Sequence, residues 1–222
     1  MFSHYPKQKL TIEILQQNTS GRDEVEYFLK ARFKRYYSAE LIEFLPNILC
    51  LRDEGGHIIA ALGFKIADTH PLFLEQYLSQ PIENYLTALT AIKQNRNRVV
   101  EVGSLASTSA GGNRWLIAAL TAYLKGEGAD WVVFTGLTPL LNSFANMGIE
   151  IFSLQLAIPH FMSEKELKNW GNYYDYKPVV AAGNVMQGFE ALRRQFLQEQ
   201  TFNTYKFLLL NSYATGLKQL AI

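Results

Sequence analysis

A single cysteine, Cys50, excludes an internal disulfide, and its place in the apolar run Ile48-Leu49-Cys50-Leu51 fits a buried thiol in a reducing compartment. Charge of one sign is also missing. Lys and Arg total 21 against 20 Asp and Glu, a formal net charge of +1, so the overall field neither recruits nor repels nucleic acid. No segment approaches the ~20 apolar residues of a membrane-spanning helix. The opening MFSHYPKQKL has neither a basic-then-apolar pattern nor a small-residue cleavage site. Four histidines, His4, His57, His70 and His160, stand apart in the sequence without metal-ligand spacing, so no metal site is expected. The resulting expectation is a soluble, cytoplasmic protein.

What is present is a core-forming composition. Of 222 residues, 48% are hydrophobic and 18% charged, far from the regime of disorder, and no Pro/Gly/Ser-rich linker divides the chain. Lys9 to Leu15 alternates as a strand, and Ser20 or Asp23 caps a helix running to about Tyr37. Asn47 to Arg52 and His57 to Ile66 flank Asp53-Glu54-Gly55-Gly56 as a hairpin. Pro71 to Ile92 reads as a helical insertion. Strands over Arg98–Leu105, Asp130–Thr135 and Ile149–Ala157 then alternate with helices over Arg114–Lys125 and Leu140–Met147. That order predicts an α/β domain over residues 1–160. Residues 161–222, with helices over Ser163–Trp170 and Gln187–Glu199 and aromatic segments at Trp170–Tyr176 and Phe202–Leu220, form a helical, aromatic extension packed on it. Those aromatics serve core packing or dimerisation.

The stretch VVEVGSLASTSAGGNRWL, residues 99–116, joins a strand, a small-residue loop and a helix. Small residues admit a ligand to backbone amides, and a helix starting near Asn113 directs unpaired N–H groups and its positive dipole end at the same place. An anion site fits this pattern, as does a plain turn and cap. The spacing is neither GxGxxG nor a P-loop, which disfavours a dinucleotide or a nucleoside triphosphate. Glu101 is a carboxylate in an apolar strand, on the face opposite Val100 and Val102. It needs a partner or a cleft: desolvation raises its proton affinity toward the range of a general base, and a structural ion pair with an arginine is the alternative. Lys30-Ala31-Arg32-Phe33-Lys34-Arg35-Tyr36-Tyr37 reads as the solvated side of a helix, or as a contact for an acidic carrier protein. His57 falls in the hairpin turn, while His70 and His160, each beside a proline, are loop residues or pocket-lining ones.

The element order resembles the GNAT acyltransferase superfamily, a mixed sheet flanked by helices. Within it, the chain is similar to the thermostable hemolysin family through Leu72-Phe73-Leu74-Glu75-Gln76-Tyr77-Leu78 with Pro81-Ile82-Glu83, Val100 to Ser107, Trp131-Val132-Val133-Phe134-Thr135 and Trp170-Gly171-Asn172-Tyr173-Tyr174. The resemblance implies that the Glu101 strand splays from its neighbour and that a pantetheine arm pairs with backbone over Leu105, Ala106 and Ser107. The phosphate end would rest on Ala110, Gly111, Gly112, Asn113 and Arg114. The superfamily's loop would align with Ser107, Ala110 and Gly112, and only the last matches fully. Its catalytic phenol falls on Phe144, with Asn142 two residues before and Gly148-Ile149 where Gly-Phe is usual, so Asn142, Ser143 or solvent would have to assist the leaving thiolate. Acyl-homoserine-lactone synthases carry Glu-Leu-Ser-Arg on the equivalent strand, against Glu101-Val102-Gly103-Ser104 here.

The resemblance thus implies acyl transfer from acyl-CoA or an acyl-phosphopantetheine carrier protein to a small amine, without metal, with Glu101, Ser104 and Asn142 as the catalytic candidates. A homodimer is a further expectation. A membrane-perturbing or binding protein that kept the fold without turnover is the alternative reading.

Overall fold

A computed structural model of the chain describes residues 10–197 and 210–216. His4 and much of the Phe202–Leu220 segment lie outside the described residues. Among the described residues seven strands form one sheet in the order β1-β2-β3-β4-β5-β7-β6. They are β1 Thr11–Leu15, β2 Asn47–Arg52, β3 Ile58–Ile66, β4 Val99–Ser107, β5 Trp131–Gly136, β6 Phe152–Leu156 and β7 Val179–Asn184. Only β4 and β5 pair in parallel; every other neighbouring pair is antiparallel.

One face of the sheet carries α1, Arg22–Tyr37, and the insertion between β3 and β4, which is a 3-10 turn at Phe73–Tyr77 followed by α2, Ile82–Thr90. Val25, Leu29 and Phe33 of α1 pack on Ile48, Cys50, Ala61 and Ala106, while Leu74, Ile82 and Leu86 pack on Val99, Trp131 and Val133. The other face carries α3, Ala110–Gly126, α4, Thr138–Asn146, and α6, Val185–Leu197. There Leu116, Leu120 and Tyr123 meet Leu62, Phe64, Val100 and Val102. Strand alternation assigns each side chain to its layer, and Glu101 falls opposite Val100 and Val102 as its spacing required. Arg22 fastens α1 to the sheet edge: its guanidinium donates to the carbonyls of Leu15 at 3.0 Å, Leu45 at 2.9 Å and Pro46 at 2.7 Å. Cys50 is buried, which pushes its thiol up to about 12.

Two elements depart from the sequence reading. No strand is legible in VVAAGN, yet β7 lies between β5 and β6, so the sheet runs across the division expected at residue 160. Val180, Ala181 and Ala182 are wholly buried on both faces, which removes the polar alternation that marks a half-buried strand. The second departure is α3, which starts at Ala110 rather than near Asn113. Ser109 is its N-cap, accepting the Gly112 N–H at 3.3 Å, so the supposed loop Ala110-Gly111-Gly112 is the helix's first turn.

Candidate functional site

β4 pairs with β5 from Val99–Trp131 as far as Val102–Phe134 and then parts from it. Thr135 and Gly136 stay with Val180 and Val179 on β7, while Ala106 and Ser107 stay with Ala61 and Ala60 on β3. The register slips between these points, because Gly103 opposes Gly63 and Ala106 opposes Ala61, which leaves Ser104 and Leu105 against Leu62 alone. Ser104 absorbs the bulge with a φ of 53°, a left-handed conformation that a serine adopts at a cost of about 1 kcal/mol. The strands consequently splay, and a cleft of about 1140 Å³ passes between them from one face of the sheet to the other.

Glu101 lines this cleft at 4% exposure. Its Oε1 accepts the Leu74 N–H at 2.8 Å and its Oε2 the Phe73 N–H at 2.9 Å, so the carboxylate caps the first turn of the 3-10 segment. The arginine ion pair open at the sequence level is replaced by two backbone donors. Burial raises its proton affinity above the ordinary carboxylate value; the Leu74 and Phe73 N–H bonds and the charge of Lys65 counter part of that rise, and Glu75 adds to it. Glu75 itself is ionically held, donated to by Arg96 at 2.6 Å and by the Ile82 and Leu72 N–H groups at 2.8 and 2.7 Å. This network builds the insertion that positions the two donors to Glu101.

The aromatic segment after α5, Glu164–Asn169, forms a wall of the cleft on the Glu101 side. The Trp170 ring lies 5.9 Å from Phe73, 5.3 Å from Tyr173 and 5.9 Å from Tyr174, and the Tyr77 and Tyr174 hydroxyls meet at 2.5 Å. Burial, followed by the shared hydrogen bond, raises the Tyr77 phenol strongly, and burial takes Tyr174 to about 12. Sequence reasoning assigned the rings of Trp170–Tyr176 to core packing or dimerisation. Beyond the splay the lining turns mostly aliphatic, with the Phe144 ring among Leu105, Ile117, Leu120, Leu140 and Ile149 bordering the far half.

A smaller pocket of about 280 Å³ adjoins the N-terminus of α3, bordered by Arg32 and Tyr36 of α1 and by Ser107, Thr108, Ser109 and Asn113. Asn113 lines both pockets, and its Oδ1 is buried without a hydrogen-bond partner. The Nε of Arg32 is likewise buried and unpartnered, while its Nη2 donates to Tyr36 Oη at 2.8 Å. Arg32 was not singled out as a site residue, because nothing in the sequence places α1 against the start of α3.

Several expected site residues lie elsewhere. Gly112 is buried and closely packed: a Cβ there would stand 2.9 Å from Ile59 Cγ2 and 3.2 Å from the Ile59 carbonyl oxygen. Ala106 faces α1 in the core and reaches only the smaller pocket. Gly111 is exposed, and neither it nor Arg114 borders either pocket. Asn142 is exposed on α4 and misses the cleft; Ser143 and Phe144 line it instead, the Ser143 hydroxyl donating to the Pro139 carbonyl at 2.9 Å. His70 and His160 are exposed and outside the cleft, and His57 sits in the hairpin turn against Asp53. Among the described residues no cluster suits a metal ion, and no helix is long and apolar enough to cross a membrane.

Known structures share this architecture. An N-acyl amino acid synthase from uncultured soil microbes, FeeM, superposes with a TM-score of 0.58 at 14% identity, covering 85% of this chain and 98% of its own. The acyl-homoserine-lactone synthase LasI gives 0.56 at 10% identity over 83% and 95%. The CoA-dependent acyl-homoserine-lactone synthase MesI gives 0.53 at 14% over 85% and 96%. At such identities the likeness is one of fold, a mixed sheet flanked by helices. No curated protein matches the sequence. The model of the thermostable hemolysin family matches residues 15–189, the whole span from β1 into α6, and the chain therefore belongs to the thermostable hemolysin family.

Proposed function

We propose that the chain is an acyltransferase that moves an acyl group from a CoA or carrier-protein thioester to an amine. The observation that carries this reading is the continuity of one cleft from the buried Glu101 carboxylate, through the splay of β4 and β5, to an apolar chamber under α3 and α4. A thioester donor has a polar arm and an apolar tail, and the two halves of the cleft with the adjoining pocket match that division.

In this reading the donor's phosphate end occupies the pocket at the start of α3, facing Arg32 and Ser109, and its pantetheine arm follows Leu105 to Ser107 past Asn113. The unpartnered Asn113 Oδ1 suits an amide N–H of that arm. The acyl tail enters the chamber lined by Leu140, Phe144 and Ile149. The thioester then lies over the Ser104 bulge. The acceptor amine gives a proton to Glu101, its nitrogen bonds to the thioester carbonyl carbon, and the carbon–sulfur bond breaks. The sulfur leaves as a thiolate and takes its proton from water, since Phe144 carries no hydroxyl and the Ser143 hydroxyl is engaged by Pro139. Holding thioester and amine together supplies on the order of 7–11 kcal/mol of the barrier reduction without a dedicated acid.

Native mass spectrometry and thermal shift against acyl-CoAs and acyl-carrier proteins test the reading. One donor class binds and raises the melting temperature; binding of neither, with leakage of lipid vesicles by the purified protein, contradicts it.

A further inference from the structure

We infer that the acceptor is a free α-amino acid, its ammonium held by Glu101 and its carboxylate by Lys65. This rests on the acyl-transfer reading and names the class of molecule that fills the Glu101 half of the cleft.

Lys65 on β3 is the direct register partner of Glu101 on β4. Directly opposed residues of an antiparallel pair project from the same face with Cβ atoms ~4.5–5.5 Å apart, so both side chains rise side by side into the cleft they both line. Their depths differ: Glu101 is 4% exposed and the Lys65 side chain 24% exposed, one charge at the floor and the other nearer the mouth. The two are not ion-paired with each other among the described residues. Lys65 forms an ion pair with the exposed Asp68 at 3.6 Å, beyond hydrogen-bond range, and each Glu101 oxygen accepts a single N–H and keeps a lone pair.

Two opposite charges side by side, without a direct ion pair between them among the described residues, complement a ligand that carries both charges a few bonds apart. An α-amino acid does. A plain amine placed at Glu101 would bring its cation beside the Lys65 ammonium, and a ligand with only a carboxylate would meet Glu101. The wall of Phe73, Tyr77, Trp170 and Tyr174 leaves an apolar surface for the side chain of the amino acid. The step balances as acyl thioester plus ammonium giving N-acyl amino acid, thiol and one proton: the C–N bond forms, the C–S bond breaks, and of the two protons the nitrogen loses one leaves through Glu101 and the other passes to water, from which the thiolate is protonated.

The test compares phenylalanine with phenethylamine, the same molecule without its carboxylate, using decanoyl-CoA and decanoyl-carrier protein as donors. The expected kcat/KM ratio is about 100-fold or more in favour of the amino acid, because a site built for a polar group rejects the analogue lacking it. Lys65→Met collapses that ratio and Lys65→Arg restores it. A wild-type ratio near one, or an equal loss for both acceptors in Lys65→Met, overturns the inference while leaving acyl transfer standing. If neither acceptor is acylated, the acyl-transfer reading fails. Saturation-transfer NMR then judges the site by itself: phenylalanine bound in preference to phenethylamine, and lost in Lys65→Met, supports it, and equal or absent binding overturns it.

Discussion

Leu74 donates its backbone N–H to Oε1 of Glu101 at 2.8 Å, across 27 residues of sequence, with the Phe73 N–H on the other oxygen. The contact joins the central strand to the helical insertion. It also fixes the direction of the one carboxylate in the cleft floor, so a structural and a chemical demand fall on the same side chain.

Replacing Glu101 by Gln keeps the shape and sets an NH2 against one of the two N–H donors. Loss of that buried bond costs about 1–3 kcal/mol. Urea unfolding of Glu101→Gln should show a lowered midpoint at unchanged slope, and acyl transfer should fall by roughly 100-fold, within the range for removing a general base. Unchanged turnover would exclude proton transfer at this residue.

The raised proton affinity of Glu101 sets a pH dependence. The proton-accepting form exists only above the raised value, so kcat/KM declines as pH falls through a point above the usual 4.5, and Glu101→Gln lacks that limb. For stability the sign is opposite. A group bound more tightly to its proton in the fold contributes stability below its unfolded value, and that contribution is lost as pH rises through the folded one.

Glu75 behaves in the contrary way. Burial opposes its ionisation, but Arg96 and the Ile82 and Leu72 N–H groups together outweigh burial and hold its carboxyl below the usual value. Its contribution is therefore present above 4.5 and lost as pH falls toward the lowered value. Arg96→Met should cost about 1.5–3 kcal/mol, and hydrogen exchange should show the Ile82 amide losing protection in that variant at neutral pH.

Leu140 and Phe144 border the apolar chamber, and the Phe144 ring lies 5.2 Å from Phe134. Leu140→Trp shortens the space for an acyl tail. Competition between hexanoyl and dodecanoyl donors should shift toward hexanoyl by about 10-fold or more, since each methylene excluded from an apolar pocket is worth about 1 kcal/mol or more.

Gly112→Ala would drive a methyl against the Ile59 side chain and carbonyl. A loss of about 1–3 kcal/mol is expected from overpacking at this close approach, together with weaker donor binding because the start of α3 moves. Thermal denaturation and donor titration read the two effects separately.

The sequence was most informative where periodicity was clean. The β2–β3 hairpin, α1 and Glu101's face follow from alternation and turn residues alone. β7 was illegible because burial on both faces leaves no alternation. The small residues at 110–112 read as loop because the helix begins earlier than its apolar stripe, and Gly112 accommodates Ile59. Lys65 passed unnoticed because its relation to Glu101 is a matter of strand register, which local pattern does not determine. Arg32 and the aromatic wall likewise depend on contacts between segments far apart in the chain.

Acyl transfer itself is read by incubating the purified protein with an acyl-CoA or acyl-carrier protein and an amine and following amide formation by mass spectrometry beside Glu101→Gln. Stoichiometric release of thiol with an N-acyl product, strongly reduced in the variant, is expected; absence of any amide with both donor classes contradicts acyl transfer.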